Sequence, residues 1–81
     1  MELGSYIESL RTSRFIRGSR CTVQQLVREA RMSNSTYYKV KNGTATDISH
    51  YLRVFDTIMQ RIPDESVRAQ LDHEFMEKRR R

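Results

Sequence analysis

The chain has 81 residues, 37% of them hydrophobic and 31% charged, with a formal net charge of +5 and a single cysteine. So short a chain supports one core and not two, its apolar residues recur too regularly for a disordered polymer, and Cys21 alone builds neither a disulfide framework nor a CxxC zinc site. No apolar run approaches the roughly 20 residues of a membrane span, and the opening MELGSYIESL carries acids where a signal peptide carries lysines, so a reducing, cytoplasmic setting is expected, without a membrane or a cofactor.

The first predicted element is a helix from Glu2 to about Arg14, because Leu3, Tyr6, Ile7 and Leu10 fall at the 3/4 spacing of one helical face. Phe15 and Ile16 follow, and Arg17-Gly18-Ser19-Arg20 breaks the pattern as a loop. Thr22-Val23-Gln24-Gln25 has the form of a capping box, with Cys21 and Leu26 placed as a hydrophobic staple. Val23, Leu26, Val27 and Ala30 then give the second helix one apolar face.

Arg31 and Met32 make a tight connection. Ser33 is the next N-cap, opening a short helix that turns Tyr37 and Val40 inward and stops at Asn42-Gly43, where glycine accepts a left-handed backbone. Asp47 caps a long fourth helix with Ile48, Tyr51, Leu52, Phe55, Ile58, Met59 and Ile62 on its apolar face. Pro63 interrupts it, and Asp64 and Glu65 favour a fifth helix to about Lys78. With no strand pattern, the fold class is all-α. The expected organisation is 1–62 as one compact domain, 63–78 as an added helix and 79–81 as a basic tail.

Charge is spread unevenly along these elements. Residues 1–43 carry eight Lys/Arg against three acids, residues 44–78 carry four bases against seven acids, and Arg79, Arg80 and Arg81 close the chain. Such polarity offers one face to a polyanion and leaves the other for a different partner. The third helix begins Ser33-Asn34-Ser35-Thr36, residues that form helix poorly and hydrogen-bond well. In a helix entering the major groove the first turn meets base edges, where small polar side chains read donors and acceptors.

From Leu3 to Ile62 the chain resembles the helix-turn-helix repressors of phages and bacteria, the lambda and 434 repressor and Cro type. The resemblance is carried by Leu3-Gly4 with Ile7 and Leu10, by Thr22-Val23-Gln24-Gln25-Leu26, by Met32 to Val40 as the recognition segment, and by Lys41-Asn42-Gly43. It implies a compact five-helix domain of the lambda-repressor-like type and a sequence-specific regulator of transcription. A repressor that occupies an inverted-repeat operator in double-stranded DNA as a homodimer is expected, in the setting of a phage or plasmid.

Carried onto this sequence, the resemblance puts Asn34, Ser35, Tyr38 and Lys39 at the bases, with Thr36 beside them. Ser33, Asn42, Gly43, Thr44, Thr46 and Gln24 fall where such proteins meet the DNA backbone. Arg14, Arg17 and Arg20, in a connection longer than the family's, are further backbone candidates. The family has glycine where this chain has Arg31, and a non-glycine residue forced left-handed there costs roughly 1 kcal/mol, so a shifted helix crossing is expected.

Other roles were weighed residue by residue. His50 and His73 read as solvated surface, since neither has a metal partner one helical turn on. The stripe Val67, Leu71, Phe75 either packs back onto the fourth helix or forms a two-fold seam, and paired half-sites favour the seam for dimerisation. No nucleophile-base pair, paired carboxylates or phosphate loop appears, so no enzyme is expected. The alternative is a protein-interaction module, such as the DNA-binding antitoxin of a toxin-antitoxin pair, whose acidic 44–78 region engages a basic partner. RNA binding is a further variant.

Overall fold

Five helices, and no strand among the described residues, make up the chain: α1 (Glu2–Arg11), α2 (Val23–Ala30), α3 (Asn34–Lys41), α4 (Ile48–Met59) and α5 (Glu65–Arg79). They come from a computed structural model that describes residues 2–13, 16 and 21–80. The core is one cluster drawn from every helix, with Leu3, Ile7, Leu26, Tyr37, Val40, Tyr51, Val54, Ile58, Ile62 and Phe75 all buried. Burying each such side chain contributes roughly 1.5–3 kcal/mol against leaving it in water. α4 is the hub: α1, α2 and α3 all pack on it, while α5 lies against α1. None of the described helices is long and apolar enough to cross a membrane.

The caps follow from the sequence. Thr22 Oγ1 accepts the Gln25 N–H at 3.2 Å and Gln25 Oε1 accepts the Thr22 N–H at 3.1 Å, so the capping box is complete. Cys21 and Leu26 are both fully buried at the staple positions. Asp47 and Asp64 cap α4 and α5 by accepting the N–H groups of Ser49 and Ser66, each at 2.9 Å.

α2 and α3 end in the same way. At the end of α2, Arg31 has φ 56 and ψ 53, the Arg31 N–H donates to the Arg28 carbonyl at 3.3 Å and the Met32 N–H to the Val27 carbonyl at 3.1 Å. This is a Schellman turn with Arg31 in its left-handed position. Gly43, at φ 74, repeats the turn after α3: its N–H donates to the Val40 carbonyl at 3.0 Å and the Thr44 N–H to the Lys39 carbonyl at 2.8 Å. The first of these reversals leaves three residues, Arg31 to Ser33, between α2 and α3.

Several expectations need correction. α1 stops at Arg11 rather than Arg14, in a turn closed by the Ser13 N–H on the Leu10 carbonyl at 3.1 Å. α4 stops at Met59, before Pro63 is reached, because Arg61 and Ile62 take tight i,i+3 bonds to Ile58 and Met59. Ile62 is still buried, but beyond the helix. Pro63 precedes the α5 cap instead of occupying its first turn. Arg79 belongs to α5 and Arg80 is its C-cap, so the last turn of the helix takes in most of the expected tail.

The dimer stripe fares differently from the way it was read. Leu71 and Phe75 are only 5% and 1% exposed within the single chain, and Phe75 stacks on Phe55 with ring centroids 4.1 Å apart. Val67 is half-buried against the same core. In this fold the stripe is covered by the chain's own α1 and by Phe55 of α4, so it does not offer a two-fold seam.

Candidate nucleic-acid interface

α3 is held from behind by two side chains and a backbone contact. Tyr37 and Val40, three residues apart, point inward and are 1% and 0% exposed. The Tyr37 hydroxyl donates to Glu8 Oε2 on α1. Glu8 Oε1 in turn accepts from Arg11 Nε at 3.0 Å, and Arg11 Nη1 donates to the Cys21 carbonyl at 2.8 Å. One carboxylate therefore ties α1 to α3 directly and to the start of α2 through Arg11.

The ionisation of this group fits its partners. Burial pushes the Tyr37 phenol up and the neighbouring Glu8 carboxylate adds to it. Burial pushes Glu8 the same way, but hydrogen bonds from Arg11 and Tyr37 outweigh it and hold the carboxyl below its usual range. Both groups thus keep the protonation states their hydrogen bond requires at neutral pH.

Gly4 supplies the backbone contact. A Cβ there would fall 2.6 Å from the Lys41 carbonyl oxygen and closer still to that of Val40, so α1 lies directly against the last carbonyls of α3. Only glycine permits that approach.

The outer side of α3 is polar and open. Asn34, Ser35, Lys39 and Lys41 are exposed, Thr36 is half-buried, and Tyr38 is 46% exposed. Residues 34, 38 and 41 share one row on the helix and 35, 39 and 42 the next. Ser33 Oγ accepts the Thr36 N–H at 3.2 Å and lies 3.0 Å from Thr36 Oγ1, which fixes the first turn. Lys41 Nζ sits 5.7 Å from the Tyr38 ring centroid, a cation–π distance. From Ala30 to Thr46 the sequence holds no carboxylate and three bases, Arg31, Lys39 and Lys41. Nothing in this stretch repels an anion.

Beyond α3 the chain is clamped. The Lys39 carbonyl accepts the N–H groups of Thr44 and Ala45 at 2.8 and 3.1 Å, and the Tyr51 hydroxyl donates to the Ala45 carbonyl at 3.0 Å. The clamp leaves a cavity of about 300 Å³ lined by Thr36, Lys39, Thr44, Thr46 and His50. Asp47 also borders it; its Oδ1 accepts the Ser49 N–H, and that bond keeps its carboxyl below the usual range and so negatively charged. Hydroxyls, an ammonium and an imidazole meet in this hollow as donors, beside the one carboxylate of Asp47.

No protein-family model, curated protein or solved structure matches the chain. The surface has to be read on its own chemistry.

On that footing, the five base-reading candidates Asn34, Ser35, Thr36, Tyr38 and Lys39 share the outer part of one helix. Ser33, Asn42, Gly43, Thr44 and Thr46 flank it at the two ends of α3 and in the clamped loop. Gln24 is exposed on the first turn of α2, and no hydrogen bond joins it to this group among the described residues. Arg14, Arg17 and Arg20 lie outside the described residues.

Two residues were missed. Lys41 continues the row of Asn34 and Tyr38, a signal present in the helical period. His50, read as solvated surface, is instead half-buried, and its Nδ1 is buried without a hydrogen-bond partner among the described residues. No sequence signal marks His50, because its surroundings come from the loop after α3.

Proposed function

We propose that this chain is a sequence-specific double-stranded-DNA-binding regulator of the helix-turn-helix kind, with α2 and α3 as the paired helices and α3 lying in the major groove. A lambda-repressor-like arrangement is part of the same reading. The observation that carries it is the uncovered, acid-free outer surface of α3, rooted from behind by Tyr37, Val40 and the Glu8 tie. A surface of this kind has both properties that groove reading demands, a rigid mount and free donors and acceptors.

In this reading Asn34 reads adenine through its two-atom amide edge and Lys39 donates to guanine acceptors, the pairings that base geometry favours. Ser35 and Tyr38 extend the contact along the groove. The hollow formed by Thr36, Thr44, Thr46 and His50 takes a backbone phosphate next to the groove, and Lys41 adds charge. Two copies bind an inverted repeat and repress by occupying the site.

Selection of bound sequences from a random duplex pool tests this. The expected result is an inverted repeat whose half-sites lie about one helical turn, roughly 10 base pairs, apart, bound with an affinity that falls steeply as salt rises. Recovery of no consensus, or competition by RNA as effective as by duplex DNA, overturns the proposal.

A further inference from the structure

With the stripe on α5 buried, the chain needs another surface for a two-fold pair, and one is present on the neighbouring side of the same helix, sharing Phe75 with the stripe. A groove of about 720 Å³ runs between α4 and α5, open to solvent. Leu52, Met59, Ala69 and Met76 line it together with the stacked rings of Phe55 and Phe75. Met76, at 39%, and Tyr38 are the exposed large apolar side chains among the described residues. Tyr38 belongs to the α3 surface and Met76 to this groove.

Four charges border the apolar strip: Arg53 and Asp56 on α4, Arg68 and Asp72 on α5. Among the described residues Arg53, Asp56 and Asp72 enter no ion pair, and Arg68 reaches only Glu65, at 3.8 Å. Each helix therefore presents a base about one turn ahead of an acid. A polyanion would meet Asp56 and Asp72, and a partner of uniform charge would be repelled by half the border.

We propose that this groove is the docking surface for a second copy of the chain, in an isologous two-fold contact. Two-fold symmetry sets a helix antiparallel to its own copy when they cross at the axis, which brings each base opposite the partner subunit's acid. The face is its own complement in charge, with an apolar centre to desolvate and a polar rim, the anatomy of a stable interface. It rests on the DNA-binding reading only for the expectation of two copies.

The test is sedimentation of the full chain, without DNA, with two charge-reversed double variants. One carries Arg53→Asp and Arg68→Asp, the other Asp56→Arg and Asp72→Arg. The wild type is expected to be a dimer. Each variant alone is expected to raise the dimer Kd at least about tenfold through like-charge contact, and an equimolar mixture to restore association as a heterodimer. Ala69→Glu, at an exposed position, is expected to weaken the wild-type dimer to a similar degree, and circular dichroism checks that each variant is folded.

A wild type that remains monomeric through the millimolar range, or folded variants that self-associate as well as the parent, overturns the proposal. Failure of the DNA reading has a different signature: the variants separate the subunits as expected, but no form of the protein prefers any duplex sequence.

Discussion

α3 and α5 each bury an apolar row and expose a polar one, yet their outer surfaces suit opposite partners. Outside α3 are small hydrogen-bonding groups, one tyrosine and two lysines, with no carboxylate. Outside α5 bases and acids are mixed, including Arg68, Asp72, Glu77 and Lys78. The difference teaches that amphipathicity only mounts a helix. What can approach it is decided by the sign and spacing of the outward charges; in the proposed reading α3 meets a polyanion and α5 a second copy of the chain.

The largest expected effect strikes the mount of α5. Phe75→Ala removes a fully buried ring stacked on Phe55 and should cost about 3–5 kcal/mol in urea unfolding. Because Phe75 also lines the groove proposed for the second copy, DNA binding by the folded fraction should fall as well. Full binding by that fraction would show that the ring supports the fold without shaping the groove.

On the outer side of α3 the pattern reverses. Asn34→Ala should leave the unfolding midpoint in place but lose about 1–3 kcal/mol of affinity for the selected duplex, with little change on random DNA. Equal losses on both duplexes in a gel-shift titration would take Asn34 off the reading surface.

A smaller effect of opposite sign belongs to the turn that sets α3 in place. Arg31→Gly relieves a left-handed side chain, at φ 56, and should raise stability by up to about 1 kcal/mol, while removing a positive charge beside α3. A melting temperature that fails to rise would mean that the arginine's own contacts offset its backbone strain.

The smallest effect is a bend in the acid limb of stability. Glu8 titrates below its ordinary 4.5 in the folded chain, so it adds stability above that value, and the contribution is lost as pH falls through the lowered one. Unfolding measured from neutral to acid pH should show that loss, and Glu8→Gln should flatten it.

Much of this was legible in the residues. Period and caps gave all five helices, since Thr22-Gln25, Ser33, Asp47 and Asp64 cap by local bonds that need no distant partner. The outward turn of α3 followed from Tyr37 and Val40 claiming the inner face. What escaped depends on contacts between elements. The 67/71/75 spacing is the same whether a stripe meets its own chain or a copy, and only the position of Phe55 decides for the former. His50 and the Glu8–Tyr37 tie, 29 residues apart in sequence, likewise exist only once the helices are assembled.

Gly4 carries a consequence of its own. Because α1 touches the closing carbonyls of α3 with no side chain between them, even one added methyl group must displace the rod that bears Asn34 and Lys39. Gly4→Ala should therefore behave as a conditional lesion, tolerated when cold and lost on warming, in a residue far along the chain from every group it would disturb.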